Sequence, residues 1–434
     1  MPDSSYDVAI IGGGPAGSTA ATLLARAGRR VVLFERQKFP RFHIGESLLP
    51  TSMKTFTRLG VHEKFQRAGF LDKYGGEMTS SCCDQGVKFY FKDGMHSQTD
   101  HSYQVPRAEF DKVLLDHAAE SGAEVREQTS VTKVSFFPER VELIVQPKSG
   151  ELETITARYV IDASGRHSVL GKHFGLKETY PHLQKISIFA HYEGVELEEG
   201  RDANLTRQVR GLDRWFWYIP LPNDRASIGV VLDAELYKQS RKTPEQFLEE
   251  SLAGQPFLSR RMTRAHRVTP AYASADFSYR LSRLAGDRWL LAGDAAGFID
   301  PVFSSGVFLA LLAGEQCADI LDVVLDHPQK ARRLFARYER LLRRVMKGYL
   351  RFVNAWYSKE FIEVFLYPQD VLQIPPAVNA VLGGNVSGSF SIRWRMAAFY
   401  FIVWLQRYLP LCPRRTLIAK PAEISLGEPL RPAA

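Results

Sequence analysis

Cysteine is scarce in this chain, with four in 434 residues, at Cys82, Cys83, Cys317 and Cys412. They form no Cys-x-x-Cys pair and have no clustered histidines beside them, so neither a metal site nor a disulfide framework is expected, and a reducing, cytoplasmic compartment suits them. Long hydrophobic runs are missing too. The longest, Met396 to Leu405, covers about ten residues between Arg395 and Arg407, too short to span a bilayer, and reads as a buried or interfacial helix. The first apolar run, Val8 to Ile11, has no basic segment before it and passes straight into glycines, so secretion is not expected. No block of five like charges occurs. The net charge of +8 is spread along the chain, which permits an acidic partner or anionic substrate but argues against nucleic-acid binding. Internal repeats and low-complexity tracts are absent. What remains, 45% hydrophobic and 24% charged, is an ordinary globular composition long enough for two or three structural units.

The β-branched run Asp7 to Ile11 leads into Gly12-Gly13-Gly14-Pro15-Ala16-Gly17. A helical Ala/Leu stretch follows to Ala27, stopped at Gly28, and then a second apolar run, Val31 to Phe34, ends at Glu35. This β-α-β unit carries the Gly12-x-Gly14-x-x-Gly17 spacing, with Ala16 inside the turn. Gly12 allows the tight bend, Gly14 lets backbone approach a pyrophosphate, Gly17 packs helix on strand, and Glu35 would accept ribose hydroxyls. A helix is expected from Arg107 to Ser121, a strand at Tyr159 to Asp162, and another at Trp289 to Ala292 that runs into Gly293-Asp294-Ala295-Ala296-Gly297. NAD and FAD share the first fingerprint. The second glycine turn, with the Asp294 carboxylate at a strand end, suits the hydroxyls of a ribityl chain and so favours FAD.

The expected fold class is α/β, a Rossmann-like FAD-binding domain assembled from residues 1–75, 100–175 and 280–325. An antiparallel-sheet substrate domain would occupy 76–99 and 176–279, and a helical C-terminal region 326–434 would line the substrate site.

From residue 6 to about 310 these motifs resemble the flavin monooxygenase fold, and Arg107 in Val105-Pro106-Arg107 and Asp162 in Ile161-Asp162-Ala163-Ser164-Gly165 match further positions of that pattern. Two more stretches narrow the resemblance to flavin-dependent halogenases: Trp215-Phe216-Trp217-Tyr218-Ile219-Pro220, and Phe298-Ile299-Asp300-Pro301-Val302-Phe303-Ser304-Ser305-Gly306-Val307. Alternating aromatics such as Trp215 and Trp217 ordinarily just fill one face of a sheet, and Ser304 or Ser305 could be a plain helix cap.

The resemblance implies a larger set of roles. Reduced FAD and O2 would form a flavin hydroperoxide, chloride or bromide would take its terminal oxygen, and Lys73 would hold and aim the resulting hypohalous acid. Trp215 and Trp217 would wall the flavin from the substrate, and the amides of Ser305 and Gly306 would cradle the halide. Gly12, Gly14, Ala16, Gly17, Glu35, Arg41, Ser47, Arg107, Asp162, Gly293, Asp294 and Pro301 would bind the cofactor. Lys73 could act as an ammonium donor or as an amine forming a haloamine, the second requiring a pKa lowered by burial.

Tryptophan halogenases carry a glutamate where this chain has Phe303. That difference, with Pro40-Arg41-Phe42-His43-Ile44-Gly45-Glu46-Ser47-Leu48-Leu49-Pro50, is more like the branch acting on phenols and pyrroles, often tethered to an acyl or peptidyl carrier protein. No second nicotinamide fingerprint occurs, so a separate NAD(P)H-dependent flavin reductase is expected as partner. Rival readings are a monooxygenase or geranylgeranyl-reductase-like oxidoreductase of the same fold and, from another class, a non-catalytic flavin-binding protein in peripheral contact with a membrane.

The aromatics Tyr349, Phe352, Trp356, Tyr357, Phe361, Phe365, Trp394, Phe399 and Trp404 read either as helical core or as the substrate end of a tunnel. Arg340, Arg343, Arg344, Lys347 and Arg351 read either as a solvated face or as a dock for an acidic carrier protein.

Overall fold

The computed structural model describes residues 5–81, 86–275, 278–386, 388–415 and 417. Cys82, Cys83 and the end of the expected helical region lie outside them.

Strand Ser5–Ile11 is the centre of the larger α/β layer because its apolar residues are covered on both sides, as a parallel strand requires. It pairs in parallel with Val31–Phe34 on one side and Glu153–Asp162 on the other. Glu124–Arg126 and Trp289–Leu291 extend those neighbours, also in parallel. Helix Pro15–Arg26 starts directly after the glycine turn and is almost wholly buried, packed between the sheet and helix Ser305–Asp326. The segments that build this sheet are therefore far apart in sequence.

The second sheet is antiparallel over most of its width, as expected, and contains one parallel pair. Lys185–Glu193, Arg225–Asp233, Arg214–Leu221 and Thr206–Arg210 are consecutive antiparallel neighbours, but Thr206–Arg210 then pairs in parallel with Gly75–Ser80, which is capped at the edge by Val87–Tyr90. A parallel pair needs a long crossover, and here a large part of the nucleotide layer serves as that connection. Residues Lys177–Thr179, Tyr279–Leu281 and Gly297–Phe298 form a separate three-stranded sheet across the anticipated boundaries near 176 and 280.

After residue 326 the chain is helical: Ala331–Trp356, Lys359–Phe365, Ile374–Leu382 and Phe390–Leu405. Tyr349, Phe352, Trp356, Phe361, Phe365 and Phe399 are buried in one cluster with Trp215, Trp217 and Phe303. The last helix is two-faced: Ile392, Met396, Phe399 and Val403 point inward, while Phe390, Phe401 and Trp404 are exposed. Among the described residues no helix is long and apolar enough to cross a membrane.

Candidate active site

The glycine turn fits a dinucleotide on its own geometry. Gly12 sits at φ 105°, and a Cβ there would lie 2.3 Å from the Ala163 carbonyl oxygen; a Cβ on Gly17 would lie 1.9 Å from the Gly12 oxygen. Gly14 differs, since its nearest neighbour would be Arg41 Nη2 at 3.7 Å, leaving open space beside the uncapped N-terminus of helix Pro15–Arg26. Glu35, at the end of its strand, accepts hydrogen bonds from the Gly13 amide (2.9 Å) and the Gln37 amide (2.8 Å), so it braces the turn. Pro15 and Ala16 are buried in the first turn of the helix. Arg41 Nη1 and Arg107 Nη2 both donate to Asp111 Oδ2 at 2.9 Å, and Arg107 Nη1 donates to the Ile44 carbonyl at 2.8 Å. Gly293 turns at φ 61°. Asp294 next to it has no hydrogen-bond partner for its carboxylate among the described residues, and burial pushes its pKa up to about 6, with Arg107 and Arg166 pulling the other way. A carboxylate left without a donor at the second glycine turn is what a polyol chain satisfies.

Asp162 and Ser47 are engaged by the protein itself. Asp162 is fully buried and its oxygens are occupied by the Ser164 amide and hydroxyl (3.0 and 2.5 Å) and the Leu170 amide (2.7 Å), so it shapes the turn after its strand. Ser47 shares a 2.8 Å hydrogen bond with the Thr206 hydroxyl, fastening the 40–50 segment to the second sheet.

Lys73 ends the short strand Leu71–Lys73 and is only 4% exposed. Its Nζ donates to the Leu48 carbonyl at 3.2 Å and lies 5.2 Å from the Phe91 ring centroid. Among the described residues no carboxylate pairs with it, and burial alone pushes its pKa down to about 7. The amine borders a small cavity whose walls include Leu49, Met78, Gln208, Phe303 and Ser304. Lys73 is thereby joined to the turn that opens helix Ser305–Asp326. Pro301 starts that turn, and Ser304 occupies the N-cap position at φ 54° without a side-chain cap, so the plain capping reading is corrected. The first amides of the helix, from Ser305 and Gly306, follow directly.

Trp215 and Trp217 lie on one face of strand Arg214–Leu221 with ring centroids 6.0 Å apart. Gly229 faces Trp217 across the ladder, and a Cβ there would come within 2.4 Å of the indole, so the pairing position needs glycine. Trp217 Nε1 donates to Ser227 Oγ at 3.2 Å, and Trp215 Nε1 donates to Tyr357 Oη at 3.1 Å. Tyr357 in turn donates to Asp300 Oδ2 at 2.6 Å, while Asp300 Oδ1 caps the Val302 amide at 3.1 Å. Burial pushes Asp300 up to about 6 against that hydrogen bond. Phe303 stacks on Phe352 with centroids 4.3 Å apart, filling its position with a ring. A second, larger cavity lies beside Tyr357, lined also by Lys185, Arg210, Asp213, Asp233 and Asn354.

Asp300, Asp111 and Gln208 escaped the sequence reading as site residues. Asp300 stood inside a recognised motif, and Gln208 lies in the strand Thr206–Arg210, where four of five residues are polar and all are buried. Tyr357 was read only as one of the C-terminal aromatics, core or tunnel end, with no signal for its hydrogen bond to Asp300. Arg343 and Arg351 are drawn away from the exposed basic face, the first to Glu339 and the Ser282 carbonyl, the second over the Tyr400 ring. Among the described residues no cluster of metal-ligating side chains occurs.

A family model for an FAD binding domain matches residues 5–353, and the chain belongs to that family of flavoenzymes. The 1H-pyrrole-2-carbonyl peptidyl-carrier-protein chlorinase of Pseudomonas fluorescens is 32% identical, over 86% of this chain and 89% of that protein. A solved flavin-dependent brominase, Bmp2, superposes with a TM-score of 0.81 at 29% identity, covering 92% of this chain and 98% of the other. A flavoprotein/dehydrogenase from Cytophaga hutchinsonii superposes with a TM-score of 0.85 at 28% identity, covering 92% and 99%. The backbone is thus shared between dehydrogenase and halogenase, and the sequence relatives decide between them: the chain is a flavin-dependent halogenase, with FAD as cofactor and halide and O2 as co-substrates.

Proposed function

We propose that this enzyme chlorinates or brominates a pyrrole or phenol presented on an acyl or peptidyl carrier protein, with reduced FAD delivered by a separate NAD(P)H-dependent reductase. The observation that carries this reading is the single cavity that holds the Lys73 amine and the Phe303-Ser304 turn together. Gly12, Gly14, Gly17, Glu35, Arg41, Gly293 and Asp294 would hold FAD, with Arg107 positioning Asp111 and the 44–45 backbone. When bound in reduced form, FAD supplies with O2 the two-electron oxidation that turns a halide into hypohalous acid.

The chain does the rest. The Ser305 and Gly306 amides, at the positive end of a long helix, hold the halide. Lys73 receives the acid. With a pKa near 7, both of its forms are populated at neutral pH, the ammonium donating a hydrogen bond to the oxygen and the amine accepting the halogen. Trp215 and Trp217 keep the organic ring from the flavin. Among the described residues no carboxylate lines the cavity to take the proton from the halogenated ring, which favours electron-rich aromatics as substrates. The Pseudomonas relative acts on a pyrrolyl group on a carrier protein, which supports a tethered ring as the substrate here.

The test is a reaction with FAD, a flavin reductase, chloride or bromide and a panel of phenols and pyrroles, free and carrier-bound. A halogen isotope pattern on the carrier-bound ring is expected. A gain of one oxygen, or a change in hydrogens that ignores halide, would replace this reading with oxygenation or dehydrogenation.

A further inference from the structure

We propose that the last helix, Phe390–Leu405, seats the enzyme on an anionic lipid surface, lying in the plane of the interface with its outward aromatic face among the headgroups. This goes beyond the halogenation reading and does not depend on it. A helix that is apolar all round is ordinarily buried all round. Here Ile392, Met396, Phe399 and Val403 bury the inner face against the protein, with the Phe399 ring edge-on to Phe361 at 5.5 Å. The opposite face carries Phe390, Trp394, Ala397, Phe401 and Trp404, spaced alternately by four and three residues, so they form one stripe about 21 Å long that Tyr408 continues in the turn beyond. Phe390 is 73% exposed, Phe401 58%, Trp404 49% and Tyr408 66%. The Trp404 ring stacks on Phe401 at 5.7 Å and meets Tyr408 at 5.2 Å, making a single aromatic surface.

Single exposed apolar side chains need no explanation, but a contiguous stripe does, and the surrounding charge says what covers it. Residues 390–415 contain five arginines and no acid, with Arg393 and Arg407 along one border of the stripe and Arg414 after the exposed Leu409 and Leu411. Residues 327–415 as a whole hold 15 Lys and Arg against 4 Asp and Glu, a surplus of 11 where the entire chain's is 8. The positive charge that makes no block in the sequence is thus collected in the region that ends in this helix. A second copy of the chain is a poor cover, because two such arginine sets would meet with no acid in either segment to pair them. A transiently docked protein meets a patch about as polar as ordinary surface, whereas this stripe has no polar group but the Trp394 and Trp404 indole N–H and the Tyr408 hydroxyl. Tryptophan and tyrosine at a water boundary, with arginines able to reach phosphates beside them, are the composition of an interfacial helix. Its 16 residues are too few to cross a bilayer, which leaves the in-plane arrangement.

The experiment sediments the FAD-loaded enzyme with vesicles of phosphatidylcholine alone and of phosphatidylcholine mixed with phosphatidylglycerol, at low and high salt. Binding to the anionic vesicles is expected, weakening severalfold in high salt, with tryptophan emission quenched by lipids spin-labelled near the headgroup. Arg393→Gln combined with Arg414→Gln is expected to lower partitioning about thirtyfold, at about fivefold per arginine. Phe401→Ser combined with Tyr408→Ser is expected to lower it by about tenfold or more, with flavin content and melting temperature unchanged. Wild-type enzyme that stays in solution beside anionic vesicles at low salt overturns the proposal without any variant, and so does undiminished binding after the Phe401 and Tyr408 changes. Two further results would also replace the lipid surface. Loss of halogenation confined to a carrier-bound ring in the Phe401 and Tyr408 variant, with wild-type enzyme indifferent to vesicles, makes the stripe a carrier-protein dock. Conversion of a wild-type dimer to a monomer by the same changes makes it an interface between copies.

Discussion

Replacing Lys73 by methionine keeps the length of the side chain and removes the amine, and the consequence for stability can be worked from burial. In the folded chain desolvation pushes the amine from an ordinary 10.5 to about 7; unfolding returns it to water. Between those values the unfolded chain binds more protons than the folded one, so wild-type stability rises with pH across that window, and the penalty is in full force below about pH 7. The limiting slope is about 1.4 kcal/mol per pH unit, or roughly 2 kcal/mol between pH 7.5 and pH 9. Lys73→Met lacks this slope. Urea denaturation of both proteins at one saturating FAD concentration is expected to show the variant's stability advantage shrinking by about 2 kcal/mol from pH 7.5 to pH 9. Parallel stability curves would refute the buried, unpaired amine. The same variant is expected to bind FAD and release peroxide while making no halogenated product, and full halogenation would remove Lys73 from the chemistry.

Gly14→Ala and Gly17→Ala, two similar changes in one turn, are expected to part company. The first meets open space and should leave apoprotein stability unchanged while lowering FAD affinity, and the second meets the Gly12 oxygen at 1.9 Å and should destabilise the fold itself; melting with and without FAD distinguishes them. Tyr357→Phe removes the donor on Asp300, so the carboxyl, already raised to about 6, is expected to rise further and shift the acid limb of the halogenation pH profile upward at a cost of about 1–3 kcal/mol in stability. An unmoved acid limb would detach Asp300 from the halide loop's working state.

The nucleotide layer was legible because its signals are local: a strand, three spaced glycines, a helix and an acidic residue lie within thirty-odd positions, and each has one physical job. The second sheet was less so. Nothing within Gly75–Ser80 says that its partner is Thr206–Arg210 or that the pairing is parallel, because register is settled by burial between distant segments. The same limit explains the site. Lys73 could be placed by motif, but its pKa near 7 depends on what covers it, including Phe91 and the Leu48 carbonyl. Asp162 shows the converse, a motif carboxylate whose hydrogen bonds go to its own turn. Tyr357 became visible only when a C-terminal helix end was seen against Asp300.

The walls of the Lys73 cavity also bear on the order in which the enzyme comes into being. They run in sequence from Leu49 to Leu382, with Gln208 and Phe303 between, so the enclosure closes only after nearly the whole chain has been synthesised. Pairs such as Met78 with Gln208 have a large separation along the chain, which places the second sheet among the slow, non-local steps of folding. An unfinished or truncated chain can thus complete the first β-α-β unit long before it owns a chamber for the oxidant. The first glycine turn can form early, whereas the chamber for hypohalous acid needs residues from both ends of the described chain.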